Sequence, residues 1–256
     1  MPYIAVSALS HEGLVREHNE DSLTVGPWTL CATVTGNPQT LLFPLGDPCL
    51  VAVSDGLGGH PGGEVASALV ARRLAAGGPE LASEAAVRQI LRECNSAVFA
   101  AAETDPGLTS MGSTVAGVVL LPESVIVFNV GDSRVYEVTD ERLRRVSVDD
   151  SPPLEPGHRT TSMVTQTLGG SSRLSPVDPH LCTAPLAAGD RYLICSDGLT
   201  DPVPDEELHG VIRAASEQAE GMSERADGRA AFELWRSAIE AGGPDNITLA
   251  LVRIGE

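Results

Sequence analysis

The sequence predicts an α+β fold, a four-layer α-β-β-α sandwich in which a central antiparallel β-sandwich is flanked on each outer side by a pair of helices. The order of elements carries this expectation. Strands come first, then two helices, then strands, then two helices and a last strand, an order that two packed sheets with helices on both outer faces can satisfy. The chain of 256 residues is also long enough for one large core, and no linker, repeat or low-complexity stretch divides it, so 1–256 is read as one domain.

Residues 4–9 alternate well enough for a first strand, and the turn after them brings in Arg16-Glu17-His18-Asn19-Glu20-Asp21. Residues 22–25 read as a second strand, and the Pro- and Gly-punctuated segment up to Pro48 as an irregular excursion or a hairpin. Val51-Ala52-Val53-Ser54 is then a buried strand running into Asp55-Gly56-Leu57-Gly58-Gly59-His60, where the glycines stop it and permit close backbone approach. Residues 64–76 and 83–104 return apolar side chains every three or four positions, with Ser83 placed as an N-cap. On that spacing Val87, Ile90, Leu91, Val98 and Phe99 pack a core rather than line a ligand groove.

After Met111 the period changes, and 114–121, 124–129 and 134–139 read as consecutive antiparallel strands. Prolines at 152, 153, 156, 176 and 179 make 146–179 a loop near the site. A strand at 191–195 precedes Ser196-Asp197-Gly198-Leu199. Helices at 205–219 and 223–241 and a strand at 247–252 complete the chain.

Ser-Asp-Gly-Leu thus occurs twice, each time at the end of an apolar strand. A lone Asp-Gly makes a turn. Two such strand ends can bring Asp55 and Asp197 to one edge of a core. Asp245, in Gly242-Gly243-Pro244-Asp245-Asn246, and the acids among 16–21 supply more carboxylates. Acids held together repel unless a cation neutralises them, and oxygen donors without clustered Cys or His point to magnesium or manganese rather than zinc.

The blocks 16–21, 55–60, Met111-Gly112-Ser113-Thr114, Asn129-Val130-Gly131-Asp132-Ser133-Arg134, Thr165-Gln166-Thr167-Leu168-Gly169-Gly170, 196–201 and Asp245-Asn246 stand in one order along nearly the whole chain. In that order the sequence resembles the metal-dependent protein phosphatase 2C family, bacterial type. The resemblance implies the same α+β sandwich and a protein serine/threonine phosphatase that reverses a partner kinase. It implies two manganese or magnesium ions, with a third loosely held, and a bridging water that attacks phosphorus in line.

By the same resemblance Asp55 bridges the two ions, the Gly56 carbonyl serves one, and Asp197 and Asp245 serve the other. Glu20 and Asp21 match positions that bind the ions' water ligands, Asn246 orients Asp245, and Arg16 matches the phosphate-binding arginine. A planar guanidinium is a natural phosphate clamp; the alternative for Arg16 is a surface ion pair with Glu17 or Glu20. Asp132 and Asp201 match the third ion's positions, while the competing reading has Asp132 capping a turn and pairing with Arg134. Leu57 departs from the animal-type pattern, which has a histidine general acid there; His60 is read as a brace of its loop. The segment between Asp150 and Thr165 is shorter than the flap of many bacterial relatives.

The formal net charge of −18 argues against a nucleic-acid or anionic-membrane surface, so an anionic phosphorylated substrate is drawn in locally, by bound cations and Arg16. Five cysteines without paired spacing read as free thiols in a reducing compartment. The start shows no signal peptide, and no apolar run approaches the roughly 20 residues that span a bilayer. A cytoplasmic monomer is expected. Two rival readings are a catalytically silent binding module, which would usually have lost metal ligands, and a hydrolase of small phosphate compounds using the same site.

Overall fold

In the computed structural model, which describes residues 2–57, 62–153, 161, 163–218 and 223–256, two six-stranded sheets face each other. The strands are β1 (Tyr3–His11), β2 (Ser22–Val25), β3 (Trp28–Cys31), β4 (Gln39–Pro44), β5 (Cys49–Ser54), β6 (Gly112–Ser113), β7 (Val115–Leu120), β8 (Ser124–Val130), β9 (Arg134–Val138), β10 (Leu143–Arg145), β11 (Leu168–Gly169), β12 (His180–Pro185), β13 (Arg191–Cys195) and β14 (Ile247–Gly255). The helices are α1 (Gly63–Gly77), α2 (Glu84–Thr104), the single turn α3 (Asp197–Thr200), α4 (Asp205–Glu217) and α5 (Ser223–Glu240). One sheet runs β10-β9-β13-β14-β1-β4, the other β12-β8-β7-β5-β2-β3, and β6 pairs with β11.

Three apolar layers hold the four together. Val6, Val51, Val118, Ile194 and Val252 fill the space between the sheets. Leu50, Val70, Leu91, Val98 and Phe128 join α1 and α2 to one outer face, and Leu193, Ile212, Leu234 and Leu249 join α4 and α5 to the other. Successive β5 residues therefore enter different cores: Val51 and Val53 point between the sheets, Leu50 and Ala52 toward the helices. A strand covered on both faces reads as a continuous apolar run. Val87 enters the helix core and Ile90 packs against it, as the helical spacing predicts. Ser83 caps α2 by accepting from the Ala86 amide at 3.3 Å.

Three expectations are corrected. Residues 134–138 do not continue the 115–130 hairpin. The chain turns at Gly131, where φ is +100°, and β9 joins the other sheet between β10 and β13. The excursion before Pro48 is two strands on different sheets, β3 pairing with β2 and β4 with β1. The edge strand β12 pairs with β8, and the loop 146–179 contains β11. His60 and the last residue expected in the first of the two C-terminal helices, Ala219, lie outside the described residues.

Candidate metal centre

Asp55 follows β5 and Asp197 follows β13, so each is delivered by a central strand of a different sheet. Their carboxyls come within hydrogen-bonding reach of each other. The glycines that follow are required by close approach. A Cβ at Gly56 would run into the Gly63 backbone and, at 2.6 Å, the Glu20 carbonyl oxygen, and one at Gly198 would overlap the Asn246 carbonyl oxygen.

Asp21 is 1% exposed; its Oδ2 accepts the Ser196 hydroxyl at 2.8 Å, and its Oδ1 is buried without a hydrogen-bond partner. Glu20 Oε2 is likewise buried and unpartnered, against Gly63 at the start of α1. The Glu20 backbone is held from three sides. Ser67 Oγ donates to its carbonyl at 2.5 Å, the Gly56 amide to the same oxygen at 3.2 Å, and its own amide donates to Asn246 Oδ1 at 2.8 Å.

Asn246 spends its side chain on the loop that carries Arg16. Besides Glu20, it donates from Nδ2 to the carbonyls of Glu12 and His18 at 2.9 and 2.8 Å. Toward Asp245 it acts through its backbone amide, which donates to Asp245 Oδ1 at 2.8 Å. Arg16 does pair with an acid, but with neither Glu17 nor Glu20: Nη2 donates to Asp245 Oδ2 at 2.7 Å, with the Arg16 side chain 38% exposed.

Asp132 sits in the turn between β8 and β9. The alternative that paired it with Arg134 fails, because that guanidinium donates to Asp149, at 2.8 Å from Nη2 and 3.1 Å from Nε to Oδ2. Asp201 closes α3 through its amide, donated to the Asp197 carbonyl at 2.8 Å. Beside Asp132, the Gly131 amide donates to Asp150 Oδ2 at 2.8 Å, and Thr165 N–H donates to the Asp150 carbonyl at 2.8 Å, closing the base of the segment that follows Asp150. Most of that segment, 154–160 and 162, lies outside the described residues.

These acids share one electrostatic problem. Burial first, and then repulsion between neighbouring carboxylates, pushes Asp21, Asp132 and Asp201 up to about 7. The same causes hold Asp55 well above the usual carboxylate range and raise Asp197, while burial and then Glu64 raise Glu20. A divalent cation relieves this directly. The unpartnered oxygens of Glu20 and Asp21 and an all-oxygen donor set fit magnesium or manganese. Among the described residues no three His, Cys, Asp or Glu side chains already converge on one point.

Sequence reasoning missed Ser196, Ser67 and Asp150. Ser196 stands inside the repeated Ser-Asp-Gly-Leu, so its signal was present. Ser67 is one serine among the small residues of a helix, with nothing to mark it.

Solved bacterial serine/threonine phosphatases superpose along the whole of this α-β-β-α sandwich. The catalytic domain of the serine/threonine protein phosphatase PstP, solved in complex with two manganese ions, superposes with a TM-score of 0.75 at 30% identity over 100% of both chains. A sequence profile described as protein phosphatase 2C matches residues 43–231. The chain belongs to that family. It is 34% identical over 97% of its length to PstP of Mycobacterium tuberculosis, of whose length it spans 44%. It is 30% identical to the serine/threonine phosphatase stp of Listeria welshimeri over 94% of this chain and 92% of that one.

Proposed function

We propose that this chain is the catalytic unit of a metal-dependent protein serine/threonine phosphatase that hydrolyses phosphoserine and phosphothreonine in protein substrates. The observation that carries the reading is the meeting of Asp55 and Asp197, one from each sheet, within a group of acids that need cations. We assign Asp55 to both ions, the Gly56 carbonyl to one, and Asp197 and Asp245 to the other. Glu20 and Asp21 hold the ions' waters, and Asp132 and Asp201 a third ion. Manganese is supported by the similar PstP structure, and magnesium suits the same donors. Paired divalent ions lower the pKa of a bound water and stabilise charge on phosphoryl oxygens.

The chain's own residues do the positioning. Arg16 stands at the rim with its guanidinium on Asp245, so the same group can fork onto phosphate oxygens. Asn246 ties Glu12, His18 and Glu20 to the start of β14 and so fixes the loop that carries Arg16. Leu57 has no proton to donate to a leaving oxygen. His60 is assigned to bracing its loop.

The partner is a serine/threonine kinase whose products this chain reverses, in the cytoplasm and as a monomer. Five free cysteines support a reducing compartment, and among the described residues no helix is long and apolar enough to cross a membrane. The test is hydrolysis of a phosphothreonine peptide with manganese or magnesium and with chelator. Turnover in metal and none in chelator supports the reading; a folded protein inert in metal overturns it and favours a silent binding module.

A further inference from the structure

A cleft of about 880 Å³ opens from the acid edge and runs past Asp197 and Asp201 to the first turn of α4. Its volume lies in the range of sites for whole small ligands, well beyond the need of one phosphoryl group. Arg134 and Arg145 line it, both bonded to the single carboxylate of Asp149, with Arg145 Nη1 at 2.7 Å from Oδ2. Asp205 and Glu206 line it as well, with Asp205 linked to Arg134 through the Tyr136 hydroxyl, which accepts from Arg134 Nη1 at 3.4 Å. Asp205 is fixed there by Tyr136, whose hydroxyl donates to Oδ1 at 3.0 Å, and Glu206 is exposed.

A second, independent feature lines the same cleft. Thr200 is 5% exposed, lines the cleft, and its hydroxyl has no hydrogen-bond partner. A buried unpaired hydroxyl costs free energy unless something meets it. With Asp132, Asp197 and Asp201 given to cations and Asp149 shared by two guanidiniums, Asp205 and Glu206 are the carboxylates left to face a bound chain.

We propose that this cleft binds the polypeptide flanking the phosphorylated residue, and that Glu206 and Asp205 there take a lysine or arginine side chain of the substrate. The proposal rests on the phosphatase reading above and adds its substrate class: phosphoproteins with basic residues beside the phosphoserine or phosphothreonine. Long-range charge points the same way. A chain of net charge −18 repels a phosphopeptide with acidic flanks and attracts one whose flanks are basic. The rival role for Glu206 is to favour the N-terminus of α4, which Asp205 and Glu207 also do. That role touches stability and leaves substrate preference alone.

The experiment compares kcat/KM of the full chain with manganese on two phosphothreonine peptides that differ only in lysine or glutamate flanks, with p-nitrophenyl phosphate as the flank-free substrate. The wild type favours the lysine-flanked peptide by about ten-fold, less at high salt. Glu206→Lys cuts that preference by about five-fold and leaves p-nitrophenyl phosphate turnover unchanged. Equal use of the two peptides by the wild type, or an unchanged preference in Glu206→Lys, overturns the proposal while leaving the phosphatase reading intact. Failure on all three substrates overturns the phosphatase reading, and this proposal with it.

Discussion

Asp55 and Asp197 belong to different sheets, yet their carboxyls lie within hydrogen-bonding reach. The core between the sheets makes this possible. Val51 of β5 and Ile194 of β13 sit in the same buried cluster, so the two strands are packed against each other before their Ser-Asp-Gly-Leu ends begin. Sheet packing thus holds together two like charges that would separate if free to do so.

A pH dependence follows for the metal-free chain. Asp21, Asp132 and Asp201 titrate at about 7 when folded, against an ordinary value of 3.8. Between those values the folded chain keeps protons that the unfolded chain has released, so stability falls as pH rises through the interval. In chelator the protein should melt at a higher temperature near about pH 5 than near about pH 8, and saturating manganese should narrow the gap by favouring the folded state. A melting temperature that climbs over this interval in chelator would contradict the electrostatic account.

Arg16→Ala should lower kcat/KM by about 100-fold through loss of a preorganised phosphate clamp. Its half-exposed pair with Asp245 contributes about 0–1 kcal/mol, so the melting temperature should barely move. Arg16→Lys keeps the charge but loses the fork, and should recover only part of the rate. Equal rates for wild type and Arg16→Ala would remove Arg16 from the site.

Asn246→Ala removes three side-chain hydrogen bonds, to Glu12, His18 and Glu20. At the usual net value per bond this costs about 2–4 kcal/mol. Denaturant unfolding should show that loss, together with a raised KM as the Arg16 loop loosens. A stability change under about 0.5 kcal/mol would place those bonds outside the stabilising set.

Asp132→Asn and Asp201→Asn should reduce turnover by about ten-fold without lowering the melting temperature in chelator, because each removes a repelling charge. A parallel loss of stability and activity would make these acids structural.

Much of this was legible in the chain itself. The four layers follow from element order, and the Asp55–Asp197 edge from a tetrapeptide written twice. What stayed hidden was pairing between elements. Nothing in Arg134-Val135-Tyr136-Glu137-Val138 says that β9 leaves its hairpin neighbour, because both sheets offer it the same apolar surface. The edge strand His180-Leu181-Cys182-Thr183-Ala184-Pro185 is half exposed and ends in proline, so it lacks the apolar run that marked β5. Arg16 illustrates the same limit at the site: its neighbours in sequence are Glu17 and Glu20, but its partner is Asp245, brought in by the folding of the last strand.

The most direct test of the central claim is turnover of a phosphothreonine peptide against manganese concentration for wild type, Asp55→Asn and Asp197→Asn, with a thermal melt of each. The account predicts a folded wild type active only with metal, and two variants that fold at least as well yet lose about 1,000-fold or more in turnover. Folded variants that keep wild-type turnover at the same manganese concentration would contradict a paired-metal site at Asp55 and Asp197.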